Sequence, residues 1–329
     1  MRLLDAVVIG GGLAGLHAAG EIARAGLGCV CLAGASPGGL LLSIESVQDV
    51  PGHPDGIPGY DLGPMAMEAA MDAGCEVRGE QAVAIASCAD ATGPWTVTTE
   101  AGEVLQARAL VLATGSRLRR LAVPGEHTFT GKGVSHCASC DAPLLRGQAV
   151  AVVGGGDAAC QEALTLAAHG CRVLMLLRGT SWRARPAWRE RVEAAPAIEL
   201  LRGAQVAAIV GDDIVRGVRL EDGRSLAVAA VFVYIGLAPD LALLAAGPGQ
   251  PMRLALDGSG RVPVDAGRRT ALRGLYAAGT LRAGHDGQAA TSIADGLAAA
   301  AAVRHDVMTG GWPTVAPAAD SSLDSQVPA

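Results

Sequence analysis

Two cysteines separated by two residues stand near the middle of the chain, in the run Cys137-Ala138-Ser139-Cys140-Asp141. Two intervening residues allow a disulfide to close across one turn. A CxxC pair at a helix N-terminus has one thiol of lowered pKa, which makes it a nucleophilic thiolate. Asp141 follows directly and is placed to move a proton. The motif therefore predicts dithiol–disulfide chemistry at Cys137 and Cys140, with Asp141 as the acid/base.

A zinc site is the main alternative for this motif. Structural zinc normally takes four ligands, but the sequence has no second CxxC and no paired histidines, and His136 is only a neighbour. We therefore predict that the chain binds no metal. Buried free cysteine behaves as a small hydrophobe, so we expect the remaining cysteines to be inert, namely those at 29, 31, 75, 88, 160 and 171.

A glycine-rich turn, Gly10-x-Gly12-x-x-Gly15, follows a predicted strand over 6–9 and precedes a predicted helix over 13–25. A further strand is predicted over 29–33. In this dinucleotide-binding pattern the first glycine permits a tight turn, and the second lets the backbone approach a pyrophosphate. The third lets the helix pack closely on the strand. A simple tight turn is the alternative, but the strand–turn–helix context favours a dinucleotide site.

The same pattern recurs 144 residues later as Gly154-x-Gly156-x-x-Ala159, between a predicted strand over 149–153 and a predicted helix over 157–169. After the next strand, where an acidic residue would bind a ribose hydroxyl, the sequence has Arg178. Guanidinium groups match phosphate geometry, so Arg178 and Arg183 favour NADP, with NAD possible. Solvated surface arginines are the alternative interpretation.

Two glycine-opened βαβ units predict an α/β protein with two doubly wound, Rossmann-like dinucleotide-binding domains, the second inserted into the first. Strands are also predicted over 95–99, 109–112 and 275–279, the last followed by a long Ala-rich helix. We therefore expect one domain over 1–117 and 246–329, with a loose tail from about residue 310, and a second domain over 118–245 that carries the CxxC.

Composition limits the partners. Half of the 329 residues are apolar, only 18% are charged, and the formal net charge is −6, which argues against a nucleic-acid surface. The longest apolar stretch, 226–238, is shorter than the roughly 20 residues that span a bilayer. The glycine motif begins so near Met1 that we expect no signal peptide. We expect a cytoplasmic protein with no membrane partner.

The order of the motifs resembles the low-molecular-weight thioredoxin reductase family up to about residue 306. The CxxC stands just before the second glycine loop in this order. The other runs that carry the resemblance are GGGLAG (10–15), PGGL (37–40), VPG (50–52), LATG (112–115), GGGDAA (154–159), IGL (235–237), AAG (277–279) and QA (288–289).

The resemblance implies a role for each matched residue. Cys140 would be the sulfur next to the flavin, Cys137 the thiol that exchanges with substrate, and Asp141 the acid/base. The nicotinamide cofactor would be held by Gly154, Gly156, Ala159, Arg178 and Arg183. FAD would be lined by Gly10, Gly12, Gly15, Gly39, Leu40, Thr114, Gly115, Gly279, Thr280, Gln288 and Ala289.

The resemblance also implies an FAD-dependent dithiol–disulfide oxidoreductase, a homodimer whose partner is a thioredoxin-like protein or a small-molecule disulfide or dithiol. The chain departs from the family at three places: Thr280 replaces an aspartate, Leu40 a glutamine and Gly179 a second arginine. Two alternatives stay open. One is a dithiol oxidase that forms a disulfide in a small-molecule natural product, and the more distant one is a flavin-based redox sensor.

Overall fold

The computed structural model describes residues 3–87, 93–245 and 254–313. The strands in the first third of the chain are β1 (Leu3–Ile9), β2 (Cys29–Leu32), β3 (Glu76–Arg78), β4 (Ala82–Ala86), β5 (Trp95–Thr99), β6 (Val104–Leu112) and β7 (Ser116–Leu118). Those that follow are β8 (Val134–Ser135), β9 (Ala149–Val153), β10 (Arg172–Leu177), β11 (Ile198–Arg202), β12 (Val206–Gly211), β13 (Val215–Leu220), β14 (Ser225–Ala227), β15 (Ala230–Val233), β16 (Leu237–Pro239) and β17 (Leu275–Ala277).

The helices are α1 (Leu13–Arg24), α2 (Gly59–Asp72), α3 (Ala138–Asp141), α4 (Asp157–Ala168), α5 (Pro186–Glu193), α6 (Ala242–Ala245) and α7 (Ala289–Thr309). Short 3-10 turns cover Gly39–Ser43 and Ala142–Leu145. No helix within the described ranges is long and apolar enough to cross a membrane. The tail predicted from about residue 310 lies outside the described residues from 314 onward.

The chain forms two compact units. Unit 1 comprises Met1–Leu42, Ser46–Ser116 and Pro239–Ala329, and unit 2 comprises Ser43–Glu45 and Arg117–Ala238. We expected the second boundary near residue 245. The division falls earlier because the segment after β16 packs into unit 1, where Leu244 is part of the buried core.

Unit 1 is built on a seven-stranded sheet in the order β3-β2-β1-β6-β5-β4, with β17 also paired to β6. β1 is parallel to both of its neighbours, and Val7 lies opposite Val30 on one side and Leu110 on the other. Residues 6–9 of this central strand are buried on both faces, as their uninterrupted apolar run requires. β4, β5 and the first half of β6 form an antiparallel meander.

Unit 2 repeats the parallel arrangement in a five-stranded sheet of order β11-β10-β9-β15-β8, accompanied by an antiparallel sheet of β12, β13 and β14. All pairs of the five-stranded sheet are parallel. β9 is central and is followed by α4, as β1 is followed by α1. The predicted α/β class with two Rossmann-like units is therefore confirmed.

Candidate dithiol and dinucleotide sites

The segment that carries Cys137 is fixed to the sheet of unit 2. β8 pairs with β15, where Val134 lies opposite Val231. The Nδ1 atom of His136 then lies 3.0 Å from the carbonyl oxygen of Val233. The backbone N–H of Cys137 donates to the Oγ atom of Ser135 at 3.1 Å. These contacts hold Cys137 at the carboxyl edge of a parallel sheet, where α/β proteins place their functional groups.

The structure joins Cys137 and Cys140 in a disulfide, with the two Cα atoms 5.3 Å apart. Cys137 is half-buried and Cys140 is exposed. The Oγ atom of Ser139 lies 3.6 Å from the Cys137 sulfur. Asp141 is half-buried, and its backbone N–H donates to the Cys137 carbonyl at 3.4 Å. The spacing of the motif thus brings the two sulfurs together as predicted.

The helix that begins at this pair is very short. α3 has only four residues and continues as a 3-10 turn. A helix dipole needs several aligned peptide units, so the helix N-terminus that we expected to stabilise a thiolate contributes little here.

A buried carboxyl group and a buried phenol lie beneath α3, and sequence reasoning missed both. Glu162 of α4 is 5% exposed and Tyr234, directly after β15, is 8% exposed. Burial raises the pKa of Glu162 to about 7 and also raises the pKa of Tyr234. One signal was available. Glu162 stands three residues after Ala159 and four before Leu166, which places it on the apolar face of its helix.

The remaining described cysteines are free and buried, and Cys88 lies outside the described residues. Burial raises the pKa of Cys160 to about 12 and also raises that of Cys31 and Cys171. The pKa of Cys29 is raised chiefly by its hydrogen bond with Cys75, which in turn lowers that of Cys75. A thiol that keeps its proton is a poor nucleophile.

The first glycine loop has the geometry that a pyrophosphate site needs. Gly10 has a φ of +120°, and a Cβ there would collide with the carbonyl oxygen of Ala113. A Cβ on Gly15 would collide with the Gly10 carbonyl. A Cβ on Gly12 would meet nothing within 4 Å. Gly12 is the N-cap of α1, and no side chain caps the N–H groups of the first turn, an arrangement that suits an anion.

The second loop has the same geometry. Gly154 has a φ of +143°, and a Cβ there would collide with the carbonyl oxygen of Tyr234. Gly156 is the N-cap of α4, again without a side-chain cap and with nothing within 4 Å of a Cβ position. The Ala159 methyl lies 3.1 Å from the position that a Gly154 Cβ would occupy. Alanine therefore fits as the third small residue.

Other predicted flavin residues gather at the carboxyl ends of β6 and β17. The Thr114 hydroxyl donates to the Asp240 carbonyl at 2.7 Å. Gly115 has a φ of +72°, and a Cβ there would lie 3.7 Å from the Oγ1 atom of Thr280. The Gly279 N–H donates to the buried Asp295 carboxylate at 2.9 Å. Because parallel strands end at one edge, these residues share that edge with the first loop.

Three further predicted residues stand on neighbouring turns of unit 1. Gln288 is the N-cap of α7, and Ala289 is its buried first residue. Gly39 opens a 3-10 turn, and Leu40 beside it is 38% exposed. Leu40 thus presents an apolar side chain to solvent at the place where the family has a polar one.

Arg178 and Arg183 follow β10 and are both exposed. The backbone N–H of Arg183 donates to the Gly155 carbonyl at 2.8 Å, which holds this arginine segment against the second loop. Neither guanidinium makes an ion pair with any residue in the described ranges, whereas Arg185 pairs with Asp157. Two unpaired cations beside an open helix N-terminus suit a phosphate-bearing cofactor.

Two glycine loops at the carboxyl edges of two parallel sheets, with a CxxC disulfide on the second, define a disulfide oxidoreductase that binds two dinucleotides. Residues 4–298 match the family described as "Pyridine nucleotide-disulphide oxidoreductase". Thioredoxin reductases of Treponema pallidum and Mycolicibacterium smegmatis are 35% and 37% identical to the chain, over 90% of its length and 94% of theirs.

Solved structures give the same result. The thioredoxin reductase of Lactococcus lactis superimposes with a TM-score of 0.85 at 28% identity, over 93% of this chain and 99% of that one. That of T. acidophilum gives 0.84 at 29% identity, over 94% and 100%. The chain therefore belongs to the pyridine nucleotide-disulphide oxidoreductase family and, within it, to the thioredoxin reductases.

Membership confirms the resemblance drawn from the motif order. The chain is an NAD(P)-dependent flavoprotein disulfide oxidoreductase, and its family uses FAD and NADPH. The residues of this chain fit both cofactors, because each glycine loop leaves open space at its second glycine and an uncapped helix behind it. Among the described residues, no group of three or more His, Cys, Asp or Glu could hold a metal ion.

Proposed function

We propose that the chain is a thioredoxin reductase-like enzyme that passes electrons through Cys137 and Cys140 to a disulfide of a thioredoxin-like protein or a small molecule. The observation that carries this proposal is the Cys137–Cys140 disulfide, which is built on the same unit as the second glycine loop. The partner class is supported by the relatives, which are named thioredoxin reductases. By resemblance to the family we further propose a cytoplasmic homodimer.

Unit 1 would be the flavin domain. Gly10, Gly12 and Gly15 would hold the FAD pyrophosphate at the N-terminus of α1, with Thr114, Gly115, Gly279 and Thr280 beside it. Further FAD contacts would come from Gly39, Leu40, Gln288 and Ala289.

Unit 2 would be the nicotinamide domain. Gly154, Gly156 and Ala159 would form its phosphate loop, and Arg178 and Arg183 would bind a 2′-phosphate. When bound, the two cofactors supply a two-electron path that the protein positions but does not itself provide.

The two sulfurs would act in sequence. In the reductase direction, the Cys137 thiolate attacks one sulfur of the substrate disulfide, and the other substrate sulfur leaves as a thiolate that Asp141 protonates. The Cys140 sulfur then attacks Cys137, which re-forms the protein disulfide and releases the second substrate thiol. Atoms and electrons balance, because the dithiol is oxidised as the substrate disulfide is reduced.

The reverse direction is the second candidate function, in which the same pair closes a disulfide in a small-molecule dithiol. It is favoured by Leu40 and by Thr280, since both replace residues that the family uses at the flavin. Direction follows the relative reduction potentials of the dithiols and cofactors. A redox sensor is less well supported, because two complete dinucleotide loops supply more than a switch requires.

An anaerobic assay of the purified protein tests these proposals together. NADPH and NADH would each be offered with thioredoxin-like proteins and small disulfides, and oxidised cofactors with small dithiols. Cys137→Ser and Cys140→Ser should abolish dithiol–disulfide turnover yet keep reduction of the flavin by NADPH. Cys160→Ala, which removes a buried thiol, is the matched control and should keep both. Full turnover in either serine variant would remove the pair from the mechanism.

The same variants test the separate roles of the two sulfurs. Cys137→Ser should leave Cys140 as a thiolate beside oxidised FAD and so produce a long-wavelength charge-transfer band. Cys140→Ser should lack that band and should trap substrate at Cys137 as a mixed disulfide, because no resolving thiol remains. A band in Cys140→Ser instead would reverse the two assignments.

A further inference from the structure

The buried groups beneath the disulfide have a common neighbour. The carboxyl group of Glu162 and the hydroxyl of Tyr234 interact electrostatically with each other, and each also interacts with the backbone N–H of Ala138. Ala138 is fully buried and is the residue that follows Cys137. Its N–H is the first of α3 and would otherwise be available to a thiolate at the pair. Glu162 therefore interacts with the peptide group that directly follows Cys137.

These contacts leave polar atoms unsatisfied. Neither Glu162 Oε2 nor the Tyr234 hydroxyl completes a hydrogen bond of good geometry with any residue that the structure describes. Buried polar atoms without partners cost stability. The carboxyl group at this position therefore does not stabilise the core of unit 2.

The matching places in unit 1 show that the fold does not need either group. The N–H of Gly10 donates to Leu32 as that of Gly154 donates to Leu176, so the two units correspond at an offset of 144 residues. At that offset Glu162 corresponds to Ala18, which is fully buried.

Tyr234 has its own counterpart. The carbonyl of Ala113 lies against Gly10 as that of Tyr234 lies against Gly154. At these two matching positions unit 1 therefore has alanines, Ala18 and Ala113, where unit 2 has Glu162 and Tyr234.

Few other ionisable groups face Glu162. Besides Tyr234, Glu45 of the segment Ser43–Glu45 acts on it, and Asp141 of α3 acts on Tyr234. β9 has no titratable side chain. Those of β10 and β11 next to α4, Arg172, Glu199 and Arg202, are exposed, and Arg189 of α5 acts instead on Cys160. No cation compensates the Glu162 carboxylate in this set, so a thiolate formed nearby would repel it directly.

We propose that Glu162, buried beside Tyr234, binds a proton when the Cys137–Cys140 disulfide is reduced and thereby sets the pH range in which the dithiol carries a thiolate. The step balances. Two electrons enter from the bound cofactors and the S–S bond breaks. One sulfur becomes a thiolate, the other binds one proton, and the Glu162 carboxylate binds a second. Glu162 is a positioning residue, because it acts through Ala138 and does not touch the sulfurs.

The sign of the effect follows from charge. An ionised Glu162 repels a thiolate, so it raises the pKa of the dithiol. A neutral group at position 162 removes this repulsion. The inference rests on the proposed function of the pair, but its test does not require turnover.

The test is the pH profile of alkylation. The holoenzyme would be reduced with dithiothreitol, freed of it, and alkylated with iodoacetamide from pH 5 to 10, with Cys137 and Cys140 quantified separately by peptide mass spectrometry. Glu162→Gln should shift the profile of the more reactive thiol to lower pH. Its alkylation at pH 7 should rise on the order of tenfold, which corresponds to one pKa unit. Glu162→Asp should keep a profile close to that of the unmodified protein.

The matched control is Glu199→Gln, which removes an equal charge from an exposed position on β11 of the same unit and should leave the profile unchanged. Tyr234→Phe is the second variant, because it removes the hydroxyl that lowers the pKa of the Glu162 carboxyl group, and it should shift the profile in the same direction by less. If Glu162→Gln fails to fold, Tyr234→Phe decides. A Glu162→Gln profile that superimposes on that of Glu199→Gln overturns the inference, whatever the turnover assay gives.

Discussion

The helices α1 and α4 begin in the same way, but the residues packed against them differ. Each follows a buried central strand, starts at a glycine with open space beside it, and lacks a side-chain cap. One to two turns after this shared start, Ala18 of α1 belongs to the hydrophobic core of unit 1, whereas Glu162 of α4 lies beneath the segment that carries the disulfide. The comparison shows that the same glycine positions give both loops the same backbone geometry. The chemistry of each site then depends on side chains one or two turns further along the helix.

The largest expected effect is the loss of a different cofactor when the second glycine of each loop is replaced. Gly12 and Gly156 have extended backbones that any residue can adopt, and a Cβ at either meets nothing within 4 Å. Gly12→Val should therefore fold but lose FAD, and Gly156→Val should keep FAD but bind NADPH on the order of 10²-fold more weakly. Flavin absorbance after gel filtration and NADPH titration measure the two losses. Loss of both cofactors in both variants would show that the loops are not independent.

The next effect concerns the buried acid. A carboxyl group with a pKa of about 7 in the folded protein and 4.5 ordinarily contributes its full stability below pH 4.5. That contribution is lost as pH rises towards 7, by roughly 3 kcal/mol. Relative to the unmodified protein, Glu162→Gln should gain stability between pH 4.5 and 8 by up to this amount. Urea unfolding at several pH values measures it.

Glu199→Gln is again the control for that measurement and should show no such gain. A difference between Glu162→Gln and the unmodified protein that stays constant with pH would mean that Glu162 has an ordinary pKa.

A smaller effect is expected at the third position of each loop. Gly15→Ala forces a methyl group into the Gly10 carbonyl, and such overpacking costs about 1–3 kcal/mol. The reverse change, Ala159→Gly, leaves the second loop intact and should cost only about 1 kcal/mol from helix propensity. Thermal unfolding of the two variants compares them. An equal loss of stability in the two variants would mean that α1 lies no closer to β1 than α4 lies to β9.

The smallest expected effect concerns the preference for NADPH over NADH, which we assign to the residues that follow the second loop. Arg178→Ala should raise the Michaelis constant for NADPH about tenfold, the value of one lost charge-assisted hydrogen bond, and leave that for NADH nearly unchanged. Arg172→Ala, an exposed arginine at the other end of β10, is the control. Equal effects of Arg178→Ala on both nucleotides would show that Arg178 does not read the 2′-phosphate.

Local patterns predicted much of this molecule because glycine loops and buried parallel strands are specified within about 30 residues. The strand predicted over 6–9 lies within Leu3–Ile9, and the helix predicted over 13–25 spans Leu13–Arg24, with Ala25 as its cap. The strand predicted over 275–279 stops at Ala277, because Gly279 has a φ of +79° and turns the chain.

The Glu162–Tyr234 pair could not be predicted in this way. The spacing of Glu162 places it on the apolar face of its helix, but Tyr234 is 72 positions away, and no local pattern joins the two. Only the packing of α3 on α4 makes the pair part of the site. Local sequence patterns do not predict contacts between elements that are distant along the chain.

Five thiols are free and buried among the residues that the structure describes, and their labelling can report local opening of each unit. Cys29, Cys31 and Cys75 lie in the core of unit 1, and Cys160 and Cys171 lie in that of unit 2. A thiol reagent can reach them only when the surrounding structure opens. Timed labelling of the native protein would therefore give separate opening rates for the two units, without a probe having to be introduced. If bound flavin slows only the first group and bound nucleotide only the second, each cofactor stabilises the unit that it occupies.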